Sequence, residues 1–217
     1  MNPGIPSAEI LEITLRSLLY AGTATALAMV VGLPIGLILG RRKGWMSNGL
    51  GAVFGALTAM PTVIIGLFAF LLLSRTGLLG GLRWLYASPG VIFAEFFLGF
   101  PIVVTHLRSG LRRTDEALYE TLYVLGTPRP RAFLLQLREF TPVIAGAFVL
   151  SFGRILGEVG IVMMIGGNIR HVTRTMTTAI ALESGKGALH EAIMLGGILM
   201  VLALVINLLV AVTQKHE

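Results

Sequence analysis

Five long stretches of this chain are almost free of charge, and they constrain its fold more than any other feature. Ser17–Gly40, Gly44–Ser74 and Ala192–Gln214 contain no Asp, Glu, Lys or Arg. Trp84–His106 contains only Glu95, and Thr141–Asn168 only Arg154 and Glu158. A membrane-crossing helix needs about 20 apolar residues, so the pattern predicts five spans. The runs are continuous and do not alternate with a period of two, which argues against a β-barrel. Composition agrees. Hydrophobic residues make up 55% of the 217 and charged residues 13%, against roughly 25% charged in soluble domains. So few charges cannot cover a soluble globule, and disordered chains are poor in apolar residues. The absence of cysteine excludes disulfides, zinc–thiolate sites and cysteine nucleophiles. The predicted fold is an all-α polytopic membrane helical bundle, five spans plus short helices, with residues 1–217 forming one domain.

Basic residues give the orientation. One set of loops holds ten: Arg41, Arg42, Lys43, Arg108, Arg112, Arg113, Arg129, Arg131, Arg138 and Lys215. The other holds five: Arg75, Arg83, Arg170, Arg174 and Lys186. The richer side is predicted to be cytoplasmic, with the N-terminus outside and the C-terminus inside. The formal charge of +6 then belongs to cytoplasmic loops, not to a nucleic-acid surface. Residues 1–15 contain no Lys or Arg, so the basic n-region of a signal peptide is missing. Pro6-Ser7 followed by Glu9 predicts a helix start near Ala8, with Ser7 as the cap.

Prolines punctuate the spans at Gly32-Leu-Pro34-Ile-Gly36, Met60-Pro61-Thr62 and Phe100-Pro101. Each frees a backbone carbonyl. The outcome is either a simple kink in a packed bundle or a break lining a water-filled path. Gly51-x-x-x-Gly55 and Gly153-x-x-x-Gly157 are spacings that let helices approach closely.

Residues 111–140 are too polar to enter the bilayer and read as two short helices. Thr114-Asp115-Glu116 opens the first, which runs Ala117–Leu125 and stops at Gly126. Thr127-Pro128 opens the second, which reaches about Phe140. Ala132, Phe133, Leu137 and Phe140 form an apolar stripe flanked by Arg129, Arg131 and Arg138. Such a hairpin either docks on a partner or lies on its own membrane domain or on anionic lipid.

Glu120-Thr121-Leu122-x-x-x-Gly126, with Arg131-Ala132-Phe133 after it, resembles the coupling loop of ABC importer permeases. Thr121 and Leu122 replace that pattern's two alanines, and Arg138-Glu139 replaces its Leu-Pro. Met60-Pro-Thr-Val-Ile-Ile-Gly-Leu67, Phe152-Gly-Arg154-Ile-Leu-Gly-Glu158-Val-Gly160 and Met163-Met-Ile-Gly-Gly-Asn168 resemble the permeases for molybdate, tungstate and sulfate. Thr173-Arg-Thr-Met-Thr-Thr-Ala-Ile-Ala-Leu-Glu183, with Lys186-Gly187, is similar to the tungstate type. The resemblance extends from about residue 10 to 213. It implies a type I ABC importer transmembrane domain working by alternating access. The partners it implies are a pair of ATP-binding cassette subunits, an extracytoplasmic oxyanion-binding protein and a second copy of the chain. ATPase coupling would then fall on Glu120, Gly126, Arg131, Ala132 and Phe133. Molybdate and sulfate stand as alternative substrates. A secondary transporter is the rival class, but it would need inverted repeats or a charged relay, and neither is evident.

Candidates for the translocation path are Thr62, Arg154, Glu158, Thr177 and Thr178. Arg154 and Glu158 are four residues apart and share a helix face. They read either as a structural ion pair or as a substrate contact. Glu95, the third acid within a span, is either partnered in the bundle or near the outer interface. Val172–Leu182 is apolar, rich in threonine and too short to cross, and reads as an outer or re-entrant half-helix. Its hydroxyls either meet an oxyanion at a helix N-terminus or bond their own backbone. Ser184-Gly185-Lys186-Gly187 lacks the leading glycine and the final Ser/Thr of a Walker A loop, so ATP hydrolysis is expected on a separate subunit. The histidines at 106, 171, 190 and 216 form no metal motif, no hydrolytic constellation can be assembled, and no cofactor is expected.

Overall fold

A computed structural model of the chain describes residues 5–42, 44–113, 128 and 140–215. The two helices expected within 111–140 fall largely outside the described residues. The described elements are helical: α1 (Ser7–Arg41), α2 (Trp45–Thr58), α3 (Thr62–Leu73), a 3-10 turn (Gly80–Leu82), α4 (Ser88–Arg113), α5 (Thr141–Leu156), α6 (Gly160–Gly166), α7 (Met176–Gly185) and α8 (Leu189–Lys215).

Three of these, α1, α4 and α8, are each long and apolar enough to cross a membrane. The count reaches five only if the bent pairs α2–α3 and α5–α6 are each taken as one span. Gly44–Ser74 and Thr141–Asn168, each expected to hold one span, are each made of two helices that meet at a bend. The first breaks by 95° and the second by 62°. Proline explains the first break. The residue before a proline is pushed out of the helical region, α2 ends at Thr58, and Pro61 stands just ahead of α3 in extended geometry (φ −58°, ψ 129°). Pro34 and Pro101 lie within α1 and α4, both of which continue through them. Those two helices form the largest interface among the described elements, so neighbouring packing holds their backbones together.

The α1–α4 seam is built from small residues at four-residue spacing: Ala24, Ala28, Gly32, Gly36 and Gly40. A Cβ added to Gly32 would lie 2.8 Å from Val103 Cγ1, one on Gly36 2.7 Å from Leu107 Cβ, and one on Gly40 2.8 Å from Leu111 Cβ. The facing residues 103, 107 and 111 repeat every four as well, so matched ridges mesh at close range. The spacings singled out in the sequence behave differently. Gly55 and Gly153 face open space, Gly157 meets only the carbonyl of Gly153, and Gly51 meets the Arg108 guanidinium. Glycine spacing alone does not say which helix face is covered.

Helix α1 begins at Ser7, within a residue of the expected start, but Ser7 is not the cap. Pro6 occupies the cap position, with no side-chain cap hydrogen bond. The central core draws Tyr20 and Ala24 from α1, Ile65 and Leu73 from α3, Val91 and Leu98 from α4, Phe152 and Ile155 from α5, and Ile161 and Ile165 from α6. Helix α8 differs, because only 11% of its most hydrophobic window is buried.

Candidate functional site

The two helix breaks meet. Thr62, the first residue of α3, and Glu158, in the gap between α5 and α6, both approach Gly160. A Cβ there would lie 3.3 Å from Glu158 Oε1 and 3.6 Å from Thr62 Oγ1. Glycine at 160 therefore lets α6 start against the break of the other bent pair.

Glu158 is 4% exposed and uses both carboxylate oxygens. Oε2 accepts from Arg154 at 2.9 Å, and Oε1 accepts from the backbone N–H of Ile161 at 3.2 Å. The Arg154 side chain is 44% exposed, so the pair joins a buried anion to a cation that reaches the surface of the chain. Thr177 Oγ1 donates to the Glu158 carbonyl at 2.7 Å, which fixes the start of α7 to the α5–α6 bend.

Threonines organise that start. Thr175 is the N-cap of α7 and forms a capping box with Thr178, satisfying N–H groups that a helix start leaves unpaired. The Met176 N–H donates to Ser17 Oγ on α1 at 2.8 Å. Thr173 Oγ1 donates to the Gly166 carbonyl and accepts from the Ile169 N–H. Of the two roles weighed for these hydroxyls, the described contacts are with the protein backbone and with one another.

Glu95 is buried within the bundle. It is 3% exposed on α4 and lines a small cleft with Ser17, Ile155, Leu156, Glu158, Val162, Thr175 and Thr177. Of the residues expected on the path, Thr62, Arg154, Glu158 and Thr177 lie together around the α5–α6 bend, whereas Thr178 serves the capping box. Ser17 and Thr175 were missed as site residues. Thr175 lies in a threonine-rich run that marked it, but nothing local marks Ser17, whose role depends on how α1 packs. Glu120, Gly126, Arg131, Ala132 and Phe133 lie outside the described residues.

A second polar cluster ties the N-terminal end of α1 to the segment before α7. Glu9 accepts from Arg170 Nε at 3.0 Å and Arg170 NH2 at 2.6 Å, and from Arg174 NH1 at 3.1 Å. Its carboxylate holds the Arg170 guanidinium above its ordinary pKa. Glu12 pairs with Arg16 and with His171 Nδ1, the latter at 2.7 Å. Arg16 also donates to the His171 and Arg174 carbonyls, each at 3.0 Å. Near the other end of α1, Arg108 and Arg112 both donate to Asn48 Oδ1, at 3.3 and 2.8 Å.

Comparison with known proteins agrees with this architecture. The profile described as "Binding-protein-dependent transport system inner membrane component" matches residues 32–216. A probable anion ABC transporter permease protein of Haloferax volcanii is 34% identical over 205 residues, covering 92% of this chain and 88% of that protein. A tungstate uptake system permease protein of Peptoclostridium acidaminophilum is 31% identical over 208 residues, covering 96% and 91%. A molybdenum transport system permease protein of Azotobacter vinelandii is 30% identical over 168 residues, covering 74% of each. The chain belongs to the family of inner membrane permease components of binding-protein-dependent ABC importers, which places it in the membrane as the non-catalytic partner of an ATPase and a binding protein.

Proposed function

We propose that this permease carries a tetrahedral oxyanion dianion, tungstate foremost, into the cytoplasm. The observation that carries the reading is the meeting of two broken helices at Gly160. Non-helical backbone within a membrane persists where it is buried in protein or lines a path, and substrate sites of transporters often use such breaks. Arg154 is the cation at this junction. Its pairing with Glu158 leaves the local field nearly neutral, which suits a site that must release its anion as readily as it admits it. Thr62 places a hydroxyl beside it, while the Thr177 hydroxyl donates to the Glu158 carbonyl and holds the start of α7 at the junction. Tungstate is preferred to molybdate and sulfate because the threonine-rich 173–183 segment is similar to the tungstate type and because a relative aligned over nearly the whole chain is named for tungstate uptake.

Two copies of the chain form the pore, and lipid covers the remaining apolar surface, including most of α8. The N-terminus is outside and the C-terminus is cytoplasmic, following the charge asymmetry of the loops. Gly126 to Phe133, with Glu120 ahead of it, couples the pore to the ATPases. Closure of the ATPase pair rocks the two copies to face outward, and hydrolysis returns them. The test is ATPase activity of the reconstituted complex with binding protein loaded in turn with tungstate, molybdate and sulfate. Strongest stimulation by tungstate supports the assignment, and stimulation by molybdate or sulfate alone reassigns the substrate.

A further inference from the structure

Glu95 has no counter-charge among the described residues. Its Oε2 is fully buried and has no hydrogen-bond partner. The arginine on the neighbouring helix, Arg154, ends on Glu158, whose other oxygen is taken by the Ile161 N–H. Glu158 is therefore compensated and Glu95 is not. A carboxylate withdrawn from water is strongly unfavourable without a compensating partner.

The cleft beside Glu95 presents oxygen lone pairs. Ser17 Oγ donates to the Ile13 carbonyl and accepts from the Met176 N–H, and Thr177 Oγ1 donates to the Glu158 carbonyl and bonds Thr175 Oγ1, which leaves lone-pair capacity on each oxygen. A hydroxyl that donates elsewhere keeps acceptor capacity, so these groups favour a cation over an anion. The free volume for a water-sized occupant is about 10 Å³, room for roughly one. A proton needs no such space, and a water would leave the charge uncompensated. Magnesium retains much of its hydration shell and calcium takes six to eight oxygens, more than the cleft offers. One uncompensated negative charge calls for a single positive one.

We propose that the cleft between α1, α4 and the start of α7 binds one dehydrated monovalent cation of sodium size, held by Glu95 with Ser17, Thr175 and Thr177 as neutral oxygen ligands. The ion joins three elements that already meet at Ser17–Met176 and Tyr20–Ser88. It is a structural ligand of the permease, distinct from the transported anion.

The test uses the full chain purified with its ATPase subunits. Equilibrium binding of radioactive sodium should saturate at one ion per chain. Replacing choline chloride by sodium chloride at equal ionic strength should raise the melting temperature by roughly 5–11 °C at a hundredfold excess over Kd. Glu95→Gln should abolish both effects, whereas Asn48→Ala, near the opposite end of α1, should leave both in place. Ser17→Ala should raise the half-saturating sodium concentration several-fold, which keeps the test open if Glu95→Gln does not fold. The proposal is overturned if the wild type shows no sodium-specific binding or shift, including the case in which its melting follows pH and not sodium. It is also overturned if Glu95→Gln or Ser17→Ala binds sodium as the wild type does.

Discussion

Removing Arg154 should destabilise the protein more than removing the charge it pairs with. Arg154→Ala leaves the Glu158 carboxylate, 4% exposed, with the Ile161 N–H as its remaining side-chain hydrogen-bond partner. Breaking a fully buried ion pair from one side typically costs about 3–5 kcal/mol. Here the arginine is 44% exposed, so part of the attraction is already screened, and about 1.5–3 kcal/mol is expected. At roughly 2–4 °C per kcal/mol for a chain of this size, the melting temperature should fall by roughly 3–12 °C. Glu158→Gln behaves differently. The amide oxygen still accepts from Ile161, and the freed guanidinium turns outward, so the loss should stay below about 1 kcal/mol. The double variant Arg154→Ala/Glu158→Gln removes the stranded charge and should recover most of the loss seen in Arg154→Ala alone. Thermal unfolding of all four proteins, followed by intrinsic fluorescence in one detergent, completes the cycle. A double variant no more stable than Arg154→Ala, or Glu158→Gln as the worse single variant, would refute the reasoning.

Other outcomes follow from the same contacts. Gly36→Val drives a branched side chain into Leu107 and should cost about 2–3 kcal/mol by overpacking. Gly22→Ala, which faces open space, should be neutral or slightly stabilising, and equal effects at the two sites would show that the seam is not tight. Thr175→Ala removes the cap of α7 and should lower stability by about 1 kcal/mol; no change in melting would mean that the capping box contributes nothing. Glu9→Ala frees Arg170 and Arg174 from their shared carboxylate. Limited tryptic cleavage after those residues should accelerate several-fold while global melting changes little, and unchanged cleavage would mean that the cluster does not hold the segment.

Hydrophobic runs made the all-helical membrane fold legible, because the bilayer admits few alternatives. The runs could not show where a span breaks. Pro34, Pro61 and Pro101 look equivalent in sequence, yet only Pro61 separates two helices, since α1 and α4 brace each other past the other two. The close-packed seam was likewise hidden. Gly32 and Gly36 stood out as neighbours of a proline, and their packing role depends on Val103 and Leu107 about 70 residues away. At the site, Arg154 and Glu158 were legible because a separation of four residues is local information, although Glu158 lies just past the end of α5 and not on its face. Thr62 joins them only because two broken helices meet, Thr177 because the start of α7 docks on the α5–α6 bend, and Ser17 contacts Met176 across a separation of 159 residues. Glu95 was visible as an acid within a span, but its place beside the Glu158 cleft required the packed bundle.

The most direct test of the central claim is tungstate accumulation by proteoliposomes that contain this chain, its ATPase subunits and the loaded binding protein. The account predicts uptake that requires both ATP and the binding protein, that is lost in Gly126→Pro, and that weakens when Arg154 is replaced. Tungstate entry without ATP, or ATP-driven entry unaffected by Gly126→Pro, would contradict it.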